Sequence, residues 1–225
     1  MITVQSLSKS YGSTKVLDDI SVSFNSGHVY GIIGKNGSGK TTLLKCIAGL
    51  ESYTGTITYS GTDLKSTTGF LPTDPHFISK MTGLEYLRLM GQARKLKEFE
   101  LEKWNIFDLP VNKYVDTYST GMKKKLALSG VLLQKNEVVI LDEPFNGIDL
   151  LSNILIKDLI QQLKESGKIV LMTSHILSIV SETCDSVYYL ENGTLSNEVL
   201  PKHFNTIEAE IRKNGASYSI GHLDL

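Results

Sequence analysis

Hydrophobic and polar residues alternate along much of the first sixty positions, which is the pattern of strands with one buried face. Ile20, Val22 and Phe24 alternate with serines, and TITYS at 56–60 alternates in the same way. VYGII at 29–33 is instead continuously apolar, as in a buried strand, and it runs into a glycine-rich segment. After that segment the apolar residues recur at helical spacing, so the glycines join a buried strand to a helix.

Residues 81–135 change to a helical pattern. TGLEYLRLMGQARKL has Thr82 and Glu85 at the spacing of a capping box, which predicts the start of a helix. A second, more charged helix is predicted over 97–106, and MKKKLALSGVLLQ after Gly121 predicts a third. This block interrupts an otherwise alternating chain, so we interpret it as an inserted helical subdomain.

Strands and helices alternate again from residue 136. The continuous apolar strands in this half indicate a sheet buried on both faces, which is typical of parallel sheets. Asn192-Gly193 between two strand-like segments predicts a hairpin. The predicted elements are the strand EVVIL, the helix LSNILIKDLIQQLKES, the strand KIVLMTS, a short helix from about Leu177, and the hairpin strands SVYYL and TLSNEVL.

Length and composition indicate an ordinary globular protein. The chain has 225 residues, of which 41% are hydrophobic and 21% charged, enough for one domain with a subdomain. The net charge of −1 gives no bulk attraction to nucleic acid, so no nucleic-acid partner is expected. Cys46 and Cys184 form no metal-binding motif and suggest a reduced, cytosolic context. We expect neither a signal peptide nor a membrane-spanning segment.

The glycine-rich segment fits the pattern G-x-x-x-x-G-K-[ST] without a mismatch. Its glycines let backbone N–H groups turn around a phosphate, and the following helix N-terminus favours anions. Lys40 is expected to bridge the β- and γ-phosphates and the Thr41 hydroxyl to bind Mg²⁺. The alternative is a glycine-rich turn with a chance lysine. The predicted ATP-binding residues are Gly34, Lys35, Asn36, Gly37, Ser38, Gly39, Lys40, Thr41 and Thr42.

The segment VVILDEP at 138–144 supplies an acid at the end of a buried strand. Asp142 can hold Mg²⁺ through a water, and Glu143 can polarise the attacking water. We expect an extended backbone here, in which the two side chains point to opposite sides. The alternative is a strand followed by an ordinary acidic loop.

These two motifs, together with YSTGM at 118–122, resemble the family of ABC-type ATPases. The family's signature is Leu-Ser-Gly-Gly-Gln, and the chain keeps Ser119 and Gly121 while departing at Tyr118, Thr120 and Met122. The resemblance implies that Ser119 and Gly121 contact ATP bound to the opposite subunit. Taken alone, the serine has a simpler interpretation as a helix cap.

Three further matches extend the resemblance, which covers residues 2 to about 195. Asp149 in PFNGID matches the family's D-loop aspartate, which also faces the opposite subunit. His175 in MTSH matches the switch histidine that contacts the γ-phosphate, and Tyr11 matches the aromatic residue that stacks on adenine. Each residue also has a structural alternative: a helix cap, a structural histidine and a packed tyrosine.

One position departs from the family where nucleotide state is signalled outward. The family normally has a glutamine after the strand that ends near GFLP, and Thr73 stands there. Its hydroxyl can hydrogen-bond a metal-bound water, although its side chain is shorter, and Asp74 is the alternative substitute.

The resemblance implies an α/β fold with a P-loop NTPase core and a mostly parallel sheet. An N-terminal antiparallel β subdomain and an inserted α-helical subdomain complete it. We expect a single ABC ATPase domain over 1–225, with ATP and Mg²⁺ as cofactors. Its predicted parts are the core with the β subdomain at 1–80 and 136–200, the helical subdomain at about 81–135, and a C-terminal tail at 201–225.

The resemblance also implies partners. Two chains would sandwich two ATP molecules, as a homodimer or with a related ATPase. A separate transmembrane permease would dock near 73–81 and hold the chain on the cytoplasmic, inner face of the membrane. The short helical block, FLPTDP and YSTGM resemble ATPases of bacterial multidrug and antimicrobial-peptide exporters. The alternatives are a soluble ABC ATPase serving nucleic acid, ribosomes or metal clusters, and a P-loop kinase.

Overall fold

The computed structural model describes residues 1–61, 63–96, 100–200 and 203–204. Its strands are β1 (Ile2–Tyr11), β2 (Thr14–Phe24), β3 (His28–Ile33), β4 (Thr54–Tyr59), β5 (Thr68–Leu71), β6 (Val138–Leu141), β7 (Ile169–Thr173), β8 (Ser186–Glu191) and β9 (Thr194–Leu195). Its α-helices are α1 (Lys40–Ile47), α2 (Leu64–Thr67), α3 (Gly83–Ala93), α4 (Leu101–Trp104), α5 (Thr120–Leu133), α6 (Leu150–Glu165) and α7 (Leu177–Thr183), and a 3₁₀ helix covers Val115–Thr117.

The N-terminal strands form an antiparallel sheet in the order β2-β1-β4. Ile2 pairs with Phe24 across β1 and β2, and with Tyr59 across β1 and β4. Ile20 and Phe24 are buried on the inner face of β2, as the alternating pattern predicts. The predicted antiparallel β subdomain is therefore confirmed.

The second sheet has the order β5-β6-β7-β3-β8-β9. Strands β3 and β5 to β8 run parallel, and β9 returns antiparallel to β8 through the predicted hairpin. Every residue of β6 and β7 is buried, because both faces of the sheet are covered. This confirms the mostly parallel sheet that the continuous apolar strands predict.

The two faces of the parallel sheet contribute to different parts of the core. Ile32, Ile140 and Leu171 point to the side that packs against α1 and the antiparallel sheet. Val139 and Val170, on the opposite face, join the cluster that contains side chains of α5, α6 and α7. The period of two along each strand thus places alternate residues in two hydrophobic layers, with the sheet between them.

Residues 81–96 and 100–135 contain α3, α4 and α5 and have a small hydrophobic cluster of their own. The capping box of α3 is confirmed, since the Thr82 hydroxyl accepts from the Glu85 N–H and the Glu85 carboxylate accepts from the Thr82 N–H. The charged helix expected over 97–106 is α4, which covers only Leu101–Trp104, and positions 97–99 lie outside the described residues. The cluster consists of Leu87, Leu109, Val111, Val115, Tyr118 and Leu126.

The C-terminal tail predicted at 201–225 lies outside the described residues except for positions 203 and 204. Among the helices of the described ranges, none combines the length and the apolar character that crossing a membrane requires.

Gly31 lies in the middle of β3, where the parallel sheet packs closely against α7. A β-carbon there would lie 2.9 Å from the Cys184 Sγ and 3.0 Å from a Val180 methyl group. We expect Gly31→Val to lower the free energy of unfolding by about 1–3 kcal/mol, because the extra methyl groups overpack the core. Thermal unfolding measures the effect. Thr58→Val, which puts the same side chain at an exposed strand position, should leave Tm nearly unchanged, and equal Tm values for both variants would contradict the packing.

Candidate functional site

Four parallel strands end at one edge of the sheet, and each is followed by residues predicted to bind or hydrolyse ATP. The glycine-rich loop follows β3, Thr73 follows β5, Asp142 follows β6 and His175 follows β7. They surround a cavity of about 640 Å³, within the range of small-molecule sites. The cavity is lined by Val16, Asn36, Gly37, Gly39, Lys40, Thr41, Thr42, Thr73, Asp142, Glu143, Asn146 and His175.

The N-terminus of α1 points into this cavity without a side-chain cap. Gly39 is the N-cap at φ 104°, a conformation that favours glycine, and among the described residues no side chain caps the first N–H groups of the helix. A β-carbon at Gly39 would also lie 3.0 Å from a Leu17 methyl group. Uncapped N–H groups and the helix dipole favour an anion at this end of the helix.

Lys40 is folded back across the loop and is only 8% exposed. Its Nζ donates to the Gly34 carbonyl at 2.8 Å and to the Lys35 carbonyl at 3.1 Å. Burial lowers the pKa of Lys40, and the charges of Glu143 and Asp142 oppose that shift. The ammonium therefore spans the loop where phosphate oxygens would be held.

Ser38, also in the glycine-rich loop, has a buried hydroxyl. Within the described part of the chain its Oγ has no hydrogen-bond partner. A buried hydroxyl without a partner costs free energy, and a polar ligand in the loop would remove that cost.

Asp142 is the centre of the hydrogen bonding at this edge and is only 1% exposed. Its Oδ2 accepts from the Thr41 hydroxyl at 2.7 Å and from the Thr73 hydroxyl at 2.6 Å, and its Oδ1 accepts from the Thr173 hydroxyl at 2.6 Å. Hydrogen bonds to a carboxylate are stronger than neutral ones, so these three bonds satisfy a charge that burial would otherwise make costly.

The oxygen atoms of this cluster suit Mg²⁺. Thr41, Thr73 and Asp142 bring two hydroxyls and a carboxylate within hydrogen-bond distance of one another. Mg²⁺ prefers oxygen ligands and is usually held by one or two carboxylates together with substrate phosphates. The uncapped end of α1 lies beside the cluster, because Lys40 and Thr41 are its first two residues.

Glu143 does not have the extended backbone that we expect from the sequence. Its φ is +52°, in the left-handed region, so that expectation is wrong. Its N–H donates to the Thr173 hydroxyl at 2.9 Å, and its carbonyl accepts from the Lys124 Nζ at 2.9 Å. The two acids still diverge: Asp142 faces the threonine hydroxyls, whereas the Glu143 Oε2 lies 2.9 Å from the His175 Nδ1.

The residues expected to face an opposite subunit lie at the start of two other helices. Ser119 caps α5, with its Oγ accepting from the Met122 N–H, and Asp149 caps α6 by accepting from the Ser152 N–H. A β-carbon at Gly121 would lie 2.6 Å from the Gly147 carbonyl, so α5 packs closely against this loop. Hydrogen bonds from Ser152 and Lys125 hold the pKa of Asp149 well below its usual range.

Tyr11 ends β1 and is 46% exposed. Its ring contacts the Lys9 ammonium, which lies 4.7 Å from the ring centroid. Tyr11 is absent from the lining of the cavity, so its stacking on adenine stays a prediction.

Four residues of the site are missed by the sequence analysis. Thr173 supports both acids, Val16 and Asn146 line the cavity, and Lys124 contacts the main chain of Glu143. A hydroxyl at the end of a continuous apolar strand is the signal for Thr173. Lys124 has only a weak signal, since it is the second of three consecutive lysines.

Comparison with known proteins identifies the family. The family model described as ABC transporter matches residues 17–146. An ABC transporter ATP-binding protein of Methanocaldococcus jannaschii is 33% identical over 220 residues, covering 94% of this chain and 80% of that protein. A bacitracin transport ATP-binding protein of Enterococcus faecalis is 32% identical over 213 residues, covering 88% and 69%.

Solved structures agree with the sequence relatives. The ATP-binding subunit of an ABC transporter has a TM-score of 0.79 and 26% identity, covering 97% of this chain and 95% of that one. A dimeric ATP-binding cassette in a post-hydrolysis state, bound to ADP and Pi, shares the fold with a TM-score of 0.77 at 20% identity, covering 89% and 99%. This chain therefore belongs to the ABC transporter family as an ATP-binding subunit, and it is an ATPase.

Proposed function

We propose that the chain powers a membrane exporter by binding ATP between two ATPase subunits and hydrolysing it. The observation that carries the proposal is the cavity at the sheet edge, where the glycine-rich loop meets Asp142 and Glu143. Phosphoryl transfer to water needs positive charge at the phosphates, a metal ligand and a base. Lys40 and the N-terminus of α1 would supply the first, Asp142 the second and Glu143 the third.

The glycine-rich loop and the end of α1 would hold the phosphates, with Lys40 moving from its carbonyl contacts to the β- and γ-phosphates. Asn36, Gly37 and Thr42 line the same cavity and would complete the ATP contacts. Thr41, Asp142 and Thr73 would hold Mg²⁺, which supplies positive charge to neutralise the phosphate oxygens.

Glu143 would act as the base. Its carboxylate would accept a proton from water while the water oxygen bonds to the γ-phosphorus and the bond to the β–γ bridging oxygen breaks, releasing ADP and phosphate. His175, 2.9 Å from the Glu143 Oε2, would orient that carboxylate and contact the γ-phosphate.

The arrangement of the two helix N-termini supports a dimer. Ser119, Gly121 and Asp149, all in the described part of the chain, are absent from the lining of the ATP cavity. If these residues contact ATP, as the family resemblance implies, that ATP would be bound to a second chain. The related cassette solved with ADP and Pi is itself a dimer. The second chain would be another copy or a related ATPase.

Coupling of ATP hydrolysis to transport would require a separate permease subunit. We assign the cavity and both sheets to the core at 1–80 and 136–200, and the region at 81–135 to the helical subdomain. The permease would dock between them near 73–81 and hold the chain at the inner face of the membrane. Similarity to a bacitracin transport protein supports a transporter subunit over an ATPase without a permease.

Lys40 tests the assignment of the phosphate-binding loop. We expect Lys40→Ala to weaken ATP binding by about 1.5–3 kcal/mol, roughly 10- to 100-fold in Kd, because charged hydrogen bonds to phosphate are lost. Titration calorimetry measures the affinity. Lys113→Ala is the control, since Lys113 is exposed and lies outside the lining of the cavity. Wild-type affinity in Lys40→Ala would contradict the assignment.

Glu143 separates ATP binding from hydrolysis. Glu143→Gln keeps the size of the side chain but cannot accept the proton, so the rate of phosphate release should fall roughly 10²- to 10⁴-fold while ATP binding persists. With ATP, this variant should elute as a dimer in size-exclusion chromatography, whereas the wild type with ADP should elute as a monomer. Glu137→Gln, an exposed position just before β6, is the control. Hydrolysis at the wild-type rate in Glu143→Gln would remove this residue from the mechanism.

Tyr11 tests the adenine site. Tyr11→Ala should weaken ATP binding by about 1–3 kcal/mol, the range for stacking of a base on an aromatic ring, and Tyr11→Phe should be nearly silent. Calorimetry with ATP measures both variants. Tyr114→Ala removes another exposed tyrosine and should have no effect on affinity. An unchanged affinity in Tyr11→Ala would leave Tyr11 with a packing role only.

A further inference from the structure

Lys124 is a buried cation whose ammonium contacts the main chain of the proposed base. It lies in the second turn of α5 and is 2% exposed, and its Nζ donates to the Glu143 carbonyl at 2.9 Å. A buried charge is costly unless it is paired or fully hydrogen-bonded. Burial lowers the pKa of Lys124, and the charges of Asp74, Glu143 and Asp142 oppose that shift.

Glu143 needs such a contact because its own backbone is strained. A left-handed conformation costs a residue with a side chain about 1–2 kcal/mol. The Glu143 N–H is held by the Thr173 hydroxyl and its carbonyl by Lys124, both at 2.9 Å. The main chain is thus fixed on both sides of the α-carbon, and the carboxylate is directed toward His175.

The first two turns of α5 contact the segment from Glu143 to Asp149 at two further points. Gly121 packs against the Gly147 carbonyl, and the Lys125 Nζ donates to the Asp149 Oδ2 at 2.9 Å. Any movement of α5 relative to β6 would therefore act on Glu143 through Lys124.

We propose that Lys124 is a positioning residue for ATP hydrolysis. It holds the main chain of Glu143, so the direction of the Glu143 carboxylate depends on the position of α5. The inference rests on the proposed role of Glu143 as the base. Lys124 would then contribute to kcat and not to ATP affinity, because it is not part of the cavity lining.

The first test removes the hydrogen bond while keeping the volume. Lys124→Met should lower kcat roughly 10- to 100-fold, since a displacement of about 1 Å in a reacting group has effects of this size. The Kd for ATP should stay within about twofold of the wild type by calorimetry. Lys123→Met is the matched control, because Lys123 is the preceding residue of α5 and is only partly buried, and it should leave kcat unchanged.

Two further variants keep the test decisive if the methionine variant does not fold. Lys124→Gln is polar but one bond too short to reach the Glu143 carbonyl, so it should also lower kcat. Lys124→Arg restores a donor of full reach and should recover most of the activity. Wild-type kcat in the glutamine and methionine variants would overturn the proposal, as would a parallel loss of ATP affinity.

The oligomeric state with ATP separates this inference from the proposed function. If Lys124 acts by orienting Glu143, Lys124→Met should accumulate the ATP-bound dimer in size-exclusion chromatography, as Glu143→Gln should. If Lys124→Met stays monomeric while Glu143→Gln forms the dimer, the positioning role of Lys124 is contradicted, whereas the role of Glu143 as the base is not. Full hydrolysis by Glu143→Gln would instead contradict the proposed base.

Discussion

The site depends on the hydrogen bonds that the buried carboxylate of Asp142 accepts. The donors are three threonine hydroxyls at the ends of different elements: Thr41 of α1, Thr73 after β5 and Thr173 of β7. A carboxylate that is 1% exposed is tolerated only when its oxygens are satisfied, so burial and hydrogen bonding require these segments to meet at one point. The same oxygens form the cluster that suits Mg²⁺.

The parallel sheet makes this meeting possible. Because parallel strands end at a common edge, segments that are far apart in sequence converge there: the loop after β3, Thr73 and the two acids after β6. Burial of β6 and β7 on both faces keeps these strand ends fixed. The groups proposed to bind and hydrolyse ATP therefore lie on short segments that leave rigid strands, which limits their freedom to a few backbone angles.

The loop between β6 and α6 is held from outside the sheet as well. The start of α5 contacts it through Gly121, Lys124 and Lys125, so the helix that presents Ser119 is mechanically joined to the loop that carries Glu143. Ser119 is proposed to face the ATP of a second chain. In that arrangement, the surface that meets a partner chain and Glu143, the proposed base, belong to one packed unit, so dimer assembly would influence hydrolysis through direct contacts.

The sequence by itself determined the family, the strand–helix alternation, the glycine-rich loop before α1 and the two acids after β6, because each is encoded in local spacing and in the burial that continuous apolar strands imply. The capping box at Thr82 and Glu85 and the hairpin at Asn192-Gly193 were local in the same way. Only the tertiary structure decided the left-handed backbone of Glu143 and the roles of Thr173 and Lys124. Those features depend on contacts between residues 19 to 31 positions apart, which are set by how strands and helices pack rather than by the pattern along the chain.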